Sequence, residues 1–184
     1  VERSRGLGDV YKRQIMSCAN ILIFLGDPKA THTVVFWMLG GLGLAQWNQL
    51  IYPLMVLLIC GLWLSSQARI LNSMTVGDET ASTLGINVTK FRFVIFVVCA
   101  LITGVMVAFS GIIGFVGLMI PHIVRIFIGG DYVRVLPLSA LLGSIFLLWA
   151  DIAARTIMPP EDMPIGIVTG LVGGIFFVWL LRRK

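Results

Sequence analysis

Charge is what this sequence has least of. Only 12% of its 184 residues are Asp, Glu, Lys or Arg, against about 25% in an ordinary soluble domain. So few charges cannot cover a water-facing surface, so most of the chain faces something else. Cysteine and histidine are scarce too. Cys18, Cys60 and Cys99 each lie in an apolar run, and no CxxC pair occurs. That argues against a disulfide framework or a zinc site and for small apolar filler. The sequence holds no GxxxxGK[ST] and no HExxH, so it shows neither a phosphate-cradling loop nor a helical zinc pair. His32 stands alone and reads as a surface residue. No pattern argues for catalytic residues, a metal or a cofactor in this chain.

What the chain has is hydrophobic length. Leu50–Ser66, Phe93–Phe109, Gly111–Val124, Leu136–Ala150 and Met163–Leu181 each approach or reach the roughly 17–25 residues that cross a bilayer. Val94–Val124 carries no charge, yet as one helix it would far overrun a hydrocarbon core of ~30 Å. It must fold back, and Ser110, Gly111 and Gly114 mark the turn. The expected fold is an all-α, polytopic transmembrane bundle with five full spans. Ile15–Gly26 is too short to cross and reads as the end of a truncated span. The opening VERSRGLGDVYKRQ differs in composition and lacks the apolar core of a signal peptide. Residues 1–14 therefore read as a non-native lead-in to one membrane domain over 15–184. Thr31–Trp47 is apolar but broken by Gly40, Gly41 and Gly43, and it carries Trp37 and Trp47. It reads as a short interfacial helix.

The basic residues do not form a nucleic-acid patch; they alternate by loop. Gln67–Arg92 holds Arg69, Lys90 and Arg92; Arg125–Val135 holds Arg125 and Arg134; the tail holds Arg182, Arg183 and Lys184. The other loops hold only Lys29 and Arg155. The positive-inside rule places the basic loops and the C-terminus in the cytoplasm, with Asp27–Gln49 and Asp151–Asp162 outside.

Several residues suggest how the spans pack. Gly166, Gly170 and Gly174 recur every fourth residue, a small-residue stripe suited to close helix approach within the chain or at a subunit interface. Ser139/Gly143 and Ala140/Ser144 repeat the spacing. In GFVGLMIPHIVR, Gly114 and Gly117 allow close packing, and Pro121 removes an N–H and should kink the lower half of its helix. His122, less than a turn from Arg125, belongs near the inner interface in a structural role.

Between the first two full spans, Leu71–Phe91 is polar. Asp78 is placed to cap a short helix, Gly85 to end it in the left-handed conformation, and Ala81 and Leu84 to share one face. By composition alone this is a structured connector or a docking surface. Gly77-Asp78-Glu79, Ala81 and Leu84-Gly85 resemble the coupling segment of permeases of type II ABC importers, the FecCD-type proteins that move iron–siderophore complexes, haem or cobalamin. SGIIGFVGLMIPHIVR (Ser110–Arg125), ADIAAR (Ala150–Arg155), MPIGIVTGLVGGIFFVWLL (Met163–Leu181) and FWMLGGLGLAQW (Phe36–Trp47) extend the resemblance in order and spacing over residues 15–184.

The resemblance implies the C-terminal half of a permease of about ten spans, from the end of the fifth to the tenth, in a bacterial inner membrane. Its partners would be two ATPases that carry the ATP and magnesium, an extracytoplasmic binding protein, a second permease copy and the bilayer. Gly77, Asp78, Glu79, Ala81, Leu84 and Gly85 would couple to the ATPase. Arg155 would meet an acidic residue of the binding protein, although a local pair with Asp151 is also open to it. Glu161 and Asp162 would cap the last span. A metal-ion ABC permease or a secondary transporter is the alternative; either should carry ionisable or ligating groups along its path, and none is evident.

Overall fold

The computed structural model of the chain describes residues 2–43, 45–157 and 163–182. These residues form nine α-helices, in two compact units, Val1–Met38 and Leu39–Lys184. The first unit holds α1 (Glu2–Leu25) and α2 (Pro28–Met38). α1 runs without a break from the expected lead-in into the Ile15–Gly26 stretch. α2 opens on Pro28, whose missing N–H costs nothing in a first turn. The interfacial helix expected over Thr31–Trp47 is thus shorter and starts earlier. It ends at Met38, just before Gly40 takes a φ of +73°.

The second unit holds α3 (Ile51–Ser66), α4 (Ala68–Val76), α5 (Asp78–Thr83), α6 (Val88–Ser110), α7 (Val116–Ile128), α8 (Tyr132–Ile157) and α9 (Ile165–Arg182). About five full spans are expected. Among the described residues only α6, α8 and α9 are each long and apolar enough to cross alone. α3 and α4 make a fourth span if read together across their 49° bend at Gln67. α7 has 13 residues, a length of about 20 Å, because residues 111–115 are not helical. Pro121 lies inside α7, near its middle and not in its lower half, and the helix continues through it.

The unit's surface is largely apolar. α6 has no buried residue, and Phe96, Phe127 and Ile175 are each more than two-thirds exposed. A helix hydrophobic all round is built for lipid or for other apolar helices. Two small cores hold the rest. Met119, Ile120 and Val124 of α7 meet Val135 of α8, flanked by Phe146 and Phe176. Ala150 and Ala154 of α8 meet Ile165 of α9, beside Leu42 and Val168. In lipid such contacts hold by van der Waals fit, since leaving lipid for a protein interior gains no hydrophobic free energy.

At one end of this unit the backbone itself is pinned. The Gly41 N–H donates to the Ser110 carbonyl at 2.8 Å. A Cβ on Gly40 would sit 2.5 Å from the Ile112 carbonyl oxygen, so only glycine fits there. A Cβ on Gly166 would overlap the Leu39 carbonyl, and one on Gly173 would overlap the Phe115 side chain. Phe115 is itself held at a φ of +65°, an uncommon conformation for an aromatic residue, with its ring 6.0 Å from that of Phe177. The expected stripe is therefore only partly used inside this chain. Of its three glycines only Gly166 makes a close approach, with Gly173 beside the stripe making another, while a Cβ added at Gly170, Gly174, Gly114 or Gly117 would meet nothing within 4 Å.

At the other end, the N-terminus of α8 is bonded by side chains. A helix start leaves four N–H groups without intrahelical partners. The Asp131 carboxylate accepts from Val133 N–H at 3.0 Å, the Asp131 carbonyl accepts from Arg134 and Val135, and Asn72 Oδ1 of α4 accepts from Tyr132 N–H at 2.8 Å. The Asn72 amide also donates to Asp131 Oδ1 at 2.6 Å. These bonds, Asn72 first, then Val133 N–H and the charge of Arg134, outweigh desolvation and hold the Asp131 carboxyl below its ordinary 3.8.

Two outcomes follow from this packing. Gly166→Leu is expected to cost at least about 1–3 kcal/mol through overpacking against backbone, seen as a lower melting temperature in detergent, whereas Gly170→Ala leaves that temperature unchanged. Because the folded pKa of Asp131 is depressed, its contribution is complete above the unfolded value of about 3.9 and is lost as pH falls through the lower folded value. The stability difference between wild type and Asp131→Ala should therefore hold steady from neutral pH down to about pH 5 and shrink only below it. Thermal unfolding across pH checks this; a difference that already collapses between neutral pH and about pH 5 contradicts it.

Candidate functional site

The polar connector between α4 and α6 folds into one short helix with defined ends. Gly77, at a φ of 143°, separates α4 from α5. Its carbonyl accepts the Ala81 N–H at 3.1 Å. At the far end Gly85 takes a φ of +80°, its N–H reaches the Ser82 carbonyl at 2.9 Å, and the Ile86 N–H reaches back to the Ala81 carbonyl at 3.2 Å. That pair of bonds is a Schellman ending, which needs a left-handed residue where Gly85 stands. Asn87 then caps α6, its side chain accepting from Lys90 N–H at 3.1 Å.

Two details differ from the sequence reading. Asp78 does not cap α5; the N-cap is Gly77 and makes no side-chain bond. The Asp78 carboxylate instead takes Arg92 of α6 at 2.8 Å, because a cation one short loop away outcompetes neutral N–H groups. Both side chains are more than half exposed, so this pair orients α5 more than it stabilises it. Nor do Ala81 and Leu84 share an environment. Ala81 is fully buried and Leu84 is 65% exposed; a helix of six residues is too short to present one continuous stripe. α5 therefore turns Ala81 inward and leaves Asp78, Glu79 and Leu84 on its open side.

α5 packs against α4 and α6, and α4 packs against α8. The Asn72 bonds to Asp131 and Tyr132 bring the Gln67–Arg92 and Arg125–Val135 loops, both basic, to one end of the unit. From Tyr132 the contacts continue into α7. Arg125 donates to the Tyr132 hydroxyl at 3.0 Å, with its guanidinium 5.2 Å from the ring centre. His122, one turn back, meets Phe176 of α9 edge-on at 6.0 Å. His122, Arg125, Tyr132 and Ser139 line a small cavity of about 330 Å³.

At the opposite end, in the last turn of α8, Arg155 Nε donates to Asp151 at 3.0 Å. This is the local i,i+4 pair, worth about 0.3–0.5 kcal/mol on a helix surface. The Arg155 side chain is 47% exposed. Glu161 and Asp162, expected to cap the last span, lie outside the described residues, as do Arg183 and Lys184. Among the described residues no three His, Cys, Asp or Glu side chains come together to hold a metal.

Sequence reasoning missed Asn72, Asp131 and Tyr132. Gly129-Gly130-Asp131 ahead of an apolar run is a helix-start signature and would have found Asp131. Asn72 had no local signal, since its partners lie 59 and 60 residues away.

The sequence matches the FecCD transport family over residues 10–183. It is 39% identical over 168 residues to the hemin transport system permease protein HmuU of Yersinia pestis, covering 91% of this chain and 50% of that one. It is 37% identical over 169 residues to the Fe(3+) dicitrate transport system permease protein FecC of Escherichia coli (92% and 51%), and 33% identical over 161 residues to the vitamin B12 import system permease protein BtuC of Vibrio vulnificus (88% and 48%). The chain thus spans about half the length of these relatives. The fold superposes on a metal-chelate type ABC transporter in an inward-facing conformation with a TM-score of 0.86 at 28% identity, over 96% of this chain and 57% of that one. With its helical architecture, its apolar spans and this match over nearly its whole length, the chain belongs to the FecCD transport family.

Proposed function

We propose that this chain forms part of the permease subunit of an ATP-driven importer for an iron chelate, haem or a cobalamin-like molecule. The observation that carries the reading is α5, a short helix with defined ends between two membrane helices, in the segment whose sequence resembles the family's coupling segment. Two copies of the subunit enclose the pathway, ATPase subunits holding ATP and magnesium dock on Gly77–Gly85, and an external binding protein delivers the cargo. The fixed ends of α5 suit it to act as a lever: closure of the ATPases displaces the segment, and packed helices carry the displacement as rigid bodies.

The clustering of two basic loops at one end, by way of Asn72, supports a cytoplasmic face there and a cytoplasmic C-terminus. On that orientation Arg155 faces outward, half exposed, where it serves the binding protein.

The test is reconstitution. The full-length permease, co-purified with its ATPase and placed in vesicles with the binding protein, is expected to accumulate at least one of hemin, ferric dicitrate or vitamin B12 only when ATP is supplied. Accumulation of none of the three sinks the reading. Within that assay Gly85→Val, which puts a β-branched residue into a left-handed position, and Leu84→Asp, which charges the open side of α5, should each lower transport by about tenfold, within the usual range of coupling between sites. Arg155→Glu should weaken delivery by the binding protein and leave ATPase co-purification intact. Normal uptake by both α5 variants would remove the coupling role.

A further inference from the structure

We infer that Asn72 and Asp131 are positioning residues for the coupling segment, forming a clasp that ties α5, through α4, to the hairpin of α7 and α8. The inference rests on the coupling role proposed above and adds to it the route by which a displaced α5 reaches the membrane helices.

Among the described residues the Asn72 bonds are the only side-chain hydrogen bonds that join α4 to the start of α8. The Asn72 side chain uses both of its ends: Oδ1 accepts Tyr132 N–H, and Nδ2 donates to Asp131. One residue of α4 thus supplies a partner for the first N–H of α8 and also steadies the residue that caps α8. An amide suits this because it is donor and acceptor at once; a carboxylate has no donor and an ammonium no acceptor. Asn72 stands five residues before Gly77, on the helix whose end leads directly into α5. On the other side Tyr132 takes Arg125 of α7, one turn after Pro121 and His122. Arg92 holds α5 separately to α6 through Asp78. The coupling helix therefore has two anchors. One leads to α6 alone, and the Asn72 clasp leads to α8 and α7 together.

The arrangement allows a test by exchange of groups. Asn72→Asp alone sets a carboxylate against the Asp131 carboxylate and removes the donor between them. Asp131 Oδ1 takes both the Asn72 amide and Val133 N–H, so adding Asp131→Asn relieves the repulsion and returns a donor to the pair once the new side chain turns its amide toward position 72, with asparagine still able to cap the helix. The position 72 carboxylate still accepts Tyr132 N–H.

In the reconstituted transporter, with hemin, ferric dicitrate and vitamin B12 as probes, Asn72→Asp is expected to keep its ATPase bound and hydrolysing while cargo moved per ATP falls about tenfold. The exchanged pair is expected to return to within about twofold of wild type. A merely structural role would lower the amount of assembled transporter without changing the ratio. An unchanged ratio in Asn72→Asp, or a fall that the exchange does not rescue, overturns the proposal. If the wild type transports none of the probes, the functional reading fails, and the clasp is then decided by amide hydrogen exchange in the assembled complex. Faster exchange over Asp78–Thr83 in Asn72→Asp, reversed in the exchanged pair, upholds it; exchange equal to wild type overturns it.

Discussion

Where a bilayer replaces water, no solvent completes an unpaired N–H or C=O, so a helix must satisfy its own backbone except at its ends. Everything directional in this structure follows from that constraint. The flanks of α6, α8 and α9 are apolar and carry few specific bonds. The ends are crowded with them: Asp131 and Asn72 on the start of α8, Asn87 on the start of α6, the Schellman bonds around Gly85, and the Gly41 bond to Ser110.

The two ends solve the problem differently. Around Gly40, Gly41 and Gly166, backbone meets backbone with no side chain between, and such contacts have little room to adjust. Around Asn72, Asp131, Tyr132 and Arg125, the links between helices run through side chains with rotatable bonds. A rigid end and an adjustable end, joined by helices, are what a lever needs. The proposed coupling segment, α5, lies at the adjustable one.

The fold class and the turn after Ser110 could be read from hydrophobic length and charge alternation, because both record how much chain lies in lipid. The ends of elements were harder. Helix-length arguments gave α7 a full span since nothing in GIIGF announces that residues 111–115 stay out of the helix. The glycine stripe in α9 was visible, but that Gly166 alone of its members meets a neighbour, and that Gly173 beside it meets another, depends on residues far away in sequence, Leu39 and Phe115. Gly85 was readable because a left-handed ending is a local property. The Asp78 pair with Arg92 was not, because a capping rule cannot weigh a competing cation. The same limit hid Asn72, whose importance exists only once α4 and α8 are neighbours.

The fit of Phe115 on Gly173 has a further meaning for sequence change. A bulky ring in a left-handed backbone conformation rests in the gap left by a missing side chain. Neither position can drift alone: a larger residue at 173 has no room while the ring is there, and a smaller residue at 115 leaves a void against α9. The two positions are sterically coupled, so a change at either is expected to need a compensating change at the other.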